Sequence, residues 1–174
     1  MLFRSLRRVV DPVMVSRAGA VLLEPEAIAA LRSLLLPLAD LLTPNLREAS
    51  LLVGFSVQGE RDVEAAAEQI AALGPRAVLI KGGGSPALRG SDWLLDQSGG
   101  RWLRRQPVET PHTHGSGCTL SAAITAWLAH GLPLAEAVAQ ARVYVEGGLI
   151  HALAIGSGQG PLCHWHPLLK GAEV

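Results

Sequence analysis

The chain has little cysteine, no excess charge of either sign and no long uninterrupted apolar run. Its only cysteines are Cys118 and Cys163, in no paired spacing. That excludes a disulfide framework and points to a reducing, cytoplasmic setting. Fifteen basic residues balance fifteen acidic ones, so no net field draws nucleic acid or acidic lipid. The richest apolar stretch, Leu31 to Leu42, is broken by Arg32, Pro37 and Asp40, and no segment reads as a membrane span. Arg4, Arg7 and Arg8 follow rather than precede Leu2 and Phe3, which is the wrong order for a signal peptide. Internal repeats and low-complexity tracts are missing as well.

What is present fits one globular domain over residues 1–174, with 49% hydrophobic residues and 17% charged. Strand and helix patterns alternate. Val9-Val10 reads as a strand ended by Asp11-Pro12. Pro25 opens a helix whose apolar face is Ile28, Leu31, Leu35 and Leu38. Leu41-Leu42 is a short strand stopped by Thr43-Pro44, and Asn45 starts a helix through Ala49, Leu52 and Val53. Residues 62–73 form a third helix, and Ala77 to Ile80 an apolar strand typical of a parallel sheet interior. A hairpin joins Trp93-Leu94-Leu95 to residues 101–105. Two long helices follow, over 117–130 and 134–153, and then a glycine-rich loop over 156–161. The order predicts an α/β layered fold with a mostly parallel central sheet flanked by helices.

In such a sheet, ligands bind at the carboxyl ends of the strands. Asp11, Thr43 with Asn45 and Glu48, and Lys81 all fall there. Asp11 suits Mg²⁺, directly or through water, although a turn ahead of proline explains it equally well. Asn45 and Glu48 have the spacing of a helix capping box. Glu48 can also serve metal-bound water. Lys81 can neutralise charge on a transferred phosphoryl group, or it is a solvated strand-end lysine. The three glycines after it favour a ligand, because they let backbone approach closely.

The sharpest segment is His112-Thr113-His114-Gly115-Ser116-Gly117-Cys118. It sets a glycine-bearing turn ahead of an apolar, alanine-rich helix, where first-turn amides and the helix dipole suit an anion. The same field favours thiolate at Cys118; a small buried cysteine at a flexible helix entry is the alternative. The Gly-Lys-Ser/Thr ending of a Walker loop is missing, and Gly156 to Gly160 fails as a dinucleotide fingerprint. His112/His114 and His164/His166 lie in proline-bearing loops, without further ligands at zinc spacing.

Together these runs resemble the hydroxymethylpyrimidine/phosphomethylpyrimidine kinases of thiamine biosynthesis, in the ribokinase-like superfamily. The resemblance rests on Val9 to Val15, Leu22 to Ala27, Thr43 to Ala49, Ile80 to Gly83 and, above all, Thr113 to Ala123. Tyr144-Val145, Gly156 to Pro161 and His164 complete it. It implies ATP-dependent phosphorylation of 4-amino-5-hydroxymethyl-2-methylpyrimidine and then of its monophosphate, with Mg²⁺. Gly115, Ser116 and Gly117 would form the anion hole, and Cys118 would deprotonate or orient the substrate hydroxyl. Lys81 would contact the phosphates, while Asp11, Asn45 and Glu48 would organise Mg²⁺ and its waters. The family's N-terminal section with Gly-x-Asp-x-Ser-Gly-Gly-Ala-Gly has no counterpart here. The expectation is therefore an N-terminally truncated kinase with very low turnover alone, in which a family-like homodimer is in question. Pyridoxal kinase-like activity and a non-catalytic nucleotide-binding remnant are the alternatives.

Overall fold

A computed structural model describes residues 7–16 and 19–169 of the chain. The chain divides into two compact units, Met1–Gln106 and Pro107–Val174.

The first unit holds a five-stranded sheet whose spatial order follows the chain, β1 (Val9–Val10), β2 (Leu41–Leu42), β3 (Val78–Lys81), β4 (Ser91–Asp96) and β5 (Gly99–Arg104). β1 and β2 run parallel with Val9 opposite Leu41, and β2 and β3 run parallel with Leu42 opposite Val78. β3 and β4 run antiparallel with Ile80 opposite Trp93, and β4 and β5 run antiparallel with Trp93 opposite Trp102. The expected α/β layering is present, but the sheet is mixed rather than mostly parallel. The reason is local. Helical crossovers separate the first three strands, whereas only Gln97-Ser98 separates β4 from β5, and so short a link permits only an antiparallel partner. Gly99 takes up the required positive φ of 105°.

Three helices connect the parallel strands: α1 (Pro25–Ala30), α2 (Leu46–Val53) and α3 (Glu60–Ala71). α1 does not continue as a helix through Leu38. It widens to a π turn over Leu31–Leu35 and tightens to a 3-10 turn over Leu36–Leu38. The change of pitch rotates the apolar face, so Leu36 is buried while Leu35 and Leu38, expected inside, are 41% and 49% exposed. α3 keeps its period. Val63, Ala66, Ala67 and Ile70 are buried, and Asp62 Oδ2 accepts from the amides of Gln58 and Gly59 to close its first turn. Val78 and Ile80 join these side chains, with Met14, Leu42 and Leu52, in one core. Leu79, on the opposite face by strand alternation, is also fully buried.

The second unit is a helical hairpin of α4 (Ser116–Ala129) and α5 (Leu134–Ile150), followed by the short α6 (His166–Leu169). Gly131, at a φ of 89°, turns the chain between the two long helices. α5 ends at Ile150 rather than Leu153, because Leu153 leaves the helix to donate its amide to Pro161 O at 3.0 Å. His166 packs against Gly147, where an added Cβ would sit 2.2 Å from the imidazole. His166 Nε2 donates to Tyr144 O at 2.9 Å.

Candidate active site

The carboxyl ends of the three parallel strands carry the expected cluster. Asp11 lies just beyond β1, Thr43 just beyond β2, and Lys81 is the last residue of β3. Lys81 Nζ is 2.8 Å from Asp11 Oδ1, and both side chains are largely buried. Thr43 Oγ1 donates toward the same oxygen at 3.3 Å. The Lys81 amide donates to Pro44 O at 2.9 Å, so the Thr43-Pro44-Asn45 turn is sewn to the end of β3.

Asn45 is a full capping residue. Its Oδ1 accepts from the amides of Arg47 and Glu48 at 2.9 and 3.0 Å, and Glu48 Oε2 accepts from the Asn45 amide at 2.8 Å. The capping reading therefore holds, and the cap turns Glu48 inward to 2% exposure. Burial raises the Glu48 carboxyl above its ordinary value. The Asn45 amide and the Lys81 charge oppose that rise, the nearby Asp11 charge adds to it, and a hydrogen bond from the Met14 amide opposes it again. The Met14 contact had no signal in the sequence.

The three glycines after Lys81 are not equivalent. A Cβ on Gly82 would lie 2.2 Å from Ser91 O, and the Gly82 amide donates to Asp92 Oδ1 at 3.1 Å. Its smallness serves backbone packing against β4. A Cβ on Gly83 or Gly84 would meet nothing within 4 Å, so these two keep the openness expected of the run.

The donor set can be tested against Mg²⁺. Among the described residues no group of three or more His, Cys, Asp or Glu could hold a metal. Mg²⁺ does not need one, since it keeps several waters and uses one or two carboxylates together with phosphates. Asp11 and Glu48, where the Asp11 charge adds to the raised proton affinity of Glu48, fit that water-mediated role.

In the second unit, Gly115 adopts a left-handed φ of 83° immediately before α4, and no side chain caps that helix. The Ser116 amide donates to Thr113 O at 3.3 Å and the Thr119 amide to Gly115 O at 2.9 Å. Gly117, at the second helical position, is left with an amide that helix geometry cannot satisfy internally. Cys118 is exposed, not the buried packing cysteine of the alternative reading, and neither it nor Cys163 is in a disulfide. Thr119 Oγ1 and His164 Nε2 are 3.0 Å apart, and Tyr144 donates its hydroxyl to His164 O at 2.6 Å. An apolar groove of about 580 Å³ is lined by Cys118, Ala122, Ala126, Trp127, Tyr144 and His164. The structure thus gathers Asp11, Asn45, Glu48 and Lys81 in the first unit, and Gly115, Ser116, Gly117 and Cys118 in the second.

Residues 3–163 match the model of the family described as Phosphomethylpyrimidine kinase. The chain belongs to that family. A hydroxymethylpyrimidine/phosphomethylpyrimidine kinase from Synechococcus elongatus is 54% identical over 162 residues, covering 92% of this chain and 62% of that protein. One of the same description from Haemophilus influenzae is 43% identical, covering 90% of this chain and 60% of its own length. The chain thus spans about six-tenths of these phosphomethylpyrimidine kinase relatives. Among solved structures, an ADP complex of Bacillus subtilis pyridoxal kinase superposes with a TM-score of 0.83 at 37% identity, covering 92% of this chain and 60% of that one. A phosphomethylpyrimidine kinase from Clostridium difficile superposes with a TM-score of 0.69 at 36% identity, covering 81% and 56%. The α/β fold is that of these kinases.

Proposed function

We propose that this chain acts in ATP-dependent phosphorylation of 4-amino-5-hydroxymethyl-2-methylpyrimidine and then of its monophosphate, within thiamine biosynthesis. The observation that carries the reading is the convergence of Asp11, Thr43, Lys81 and Glu48 at the strand ends, in a chain 54% identical to a kinase of that description. ATP use is supported by relatives solved with ADP and with an ATP analogue.

In this reading the Gly115-Ser116-Gly117 turn receives the transferring phosphoryl group at the positive end of α4, with the Gly115 and Gly117 amides as donors and the Ser116 amide closing the turn onto Thr113 O. Cys118, as thiolate, takes the proton of the substrate hydroxymethyl group as that oxygen bonds to the γ-phosphorus. The bond from γ-phosphorus to the bridging oxygen breaks and ADP leaves. Lys81 steadies the phosphate charge, and Asn45 orients phosphate through its side-chain amide. Mg²⁺, when bound, offsets phosphate charge, and Asp11 and Glu48 would hold its waters. Positioning and charge stabilisation supply most of the rate.

A pyridoxal kinase-like activity is the second reading. It is favoured by the higher TM-scores to proteins described as pyridoxal kinases, 0.83 and 0.85, than to the phosphomethylpyrimidine kinase at 0.69. The test combines calorimetric titration of the purified chain with ATP and Mg²⁺ and mass-spectrometric detection of phosphorylated product. The pyrimidine, its monophosphate and pyridoxal are offered separately. Bound ATP and phosphorylation of the pyrimidines ahead of pyridoxal are the expected results. No ATP binding, or a preference for pyridoxal, would overturn the reading.

A further inference from the structure

Gly160 has no room for a side chain. A Cβ there would lie 1.7 Å from Leu153 O and 3.0 Å from His112 Nδ1. Its backbone is held from both sides by the segment that leads into α4. The Gly160 amide donates to His112 Nδ1 at 2.9 Å, and Gly160 O accepts from the His114 amide at 3.2 Å. A parallel bridge between His114 and Pro161 continues the contact, and the His112 amide donates to Thr110 Oγ1 at 3.2 Å.

Among the described residues of this junction, the His112 imidazole is the one side chain that holds Gly160. The loop it holds, Gly156-Ser157-Gly158-Gln159-Gly160, is rich in the residue that loses most conformational freedom on ordering. The turn on the other side contains Gly115 and Gly117. Two glycine-bearing segments have little of their own to fix their geometry, so a tether between them decides how well either is preorganised. Backbone amides stabilise a developing charge only when they are preorganised.

We propose that His112 is a positioning residue, clamping the glycine-rich loop to the 112–118 turn through Nδ1 and thereby setting the geometry of the phosphate cradle. The inference rests on the reading of Gly115 to Gly117 as that cradle. An imidazole that accepts at Nδ1 carries its proton on Nε2, so the clamp specifies one tautomer. Asparagine, whose Oδ1 accepts without a proton to lose, is the conservative replacement.

The test uses the full chain with His112→Ala and His112→Asn. Nitrogen NMR of the wild-type imidazole is expected to show the Nε2–H tautomer; the Nδ1–H form would overturn the clamp. Hydrogen exchange at the Gly160 amide is expected to accelerate about tenfold in His112→Ala, the size of one net hydrogen bond. Exchange within α5 should stay unchanged, and His112→Asn should restore protection. Affinity for ADP with Mg²⁺, measured by calorimetry, should fall about as far in His112→Ala and recover in His112→Asn. Unchanged Gly160 exchange in His112→Ala, or no recovery with asparagine, would overturn the proposal. Wild-type protein that fails to bind ADP would instead sink the kinase reading, and Gly160 exchange would still decide the clamp.

Discussion

Lys81 Nζ reaches Asp11 Oδ1 at 2.8 Å across 70 residues of sequence, joining the ends of β1 and β3 through β2's neighbour Thr43. One carboxylate oxygen thereby accepts from an ammonium and a hydroxyl. Both bonds fall on Oδ1, and in the proposed reading Oδ2 is the oxygen that would meet metal-bound water. The pair fixes the lysine at the rim and orients the carboxylate at the same time.

Removing one partner leaves the other charged and largely buried. Asp11→Ala is expected to lower the unfolding free energy by about 2 kcal/mol. Adding Lys81→Met should recover at least half of the loss, because the stranded ammonium is then gone. Urea denaturation of the three proteins measures this. A double variant no more stable than Asp11→Ala would show that the ion pair is not the source.

Glu48 supplies a pH signature. Its carboxyl is raised above the ordinary value of 4.5, first by burial. The folded state therefore binds the proton more tightly than the unfolded chain does. That contribution is complete below 4.5 and is lost as pH climbs through the folded value. Glu48→Gln lacks the titration, so its stability relative to wild type should improve from pH 4 to pH 7. A difference that is flat or runs the other way, in urea titrations across this range, would contradict the burial argument.

The glycines after Lys81 should separate cleanly. Gly82→Ala forces a methyl into the Ser91 carbonyl and is expected to destabilise by about 2 kcal/mol or more. Gly83→Ala and Gly84→Ala enter open space and should stay within about 0.5 kcal/mol. Thermal melts of the three variants decide it, and equal losses would mean that all three glycines serve the fold.

Cys118 is exposed at the start of α4, where an alanine removes a reactive group without leaving a buried cavity. In the proposed reaction, Cys118→Ala should cut phosphoryl transfer to the pyrimidine by about a hundredfold. ADP affinity should stay within about threefold of wild type. Parallel losses in transfer and affinity would make the cysteine structural.

The capping box at Asn45 and Glu48 was legible because both ends of it lie within one helical turn. The helices α3, α4 and α5 and the hairpin between β4 and β5 were legible for the same reason. The strand-end positions of Asp11, Thr43 and Lys81 followed from the alternation of strands and helices. The pitch change after Ala30 was not legible: Leu31 to Leu38 keeps a helical spacing of apolar residues, and only packing shows that Leu36 rather than Leu35 turns inward. The role of Gly82 was hidden likewise, since its crowding comes from Ser91 and Leu88.

By itself the sequence determined most of the local states: the strands, the helices other than the end of α1, where α2 is capped, and where α4 offers an uncapped N-terminus. Those depend on backbone sterics and on partners a few residues away. Tertiary structure alone decided that Lys81 spends its charge on Asp11, that Met14 lends an amide to Glu48, and that His112 holds Gly160 from 48 residues away. Such contacts form only after strand register and loop closure have brought distant segments together, and no local preference encodes that register.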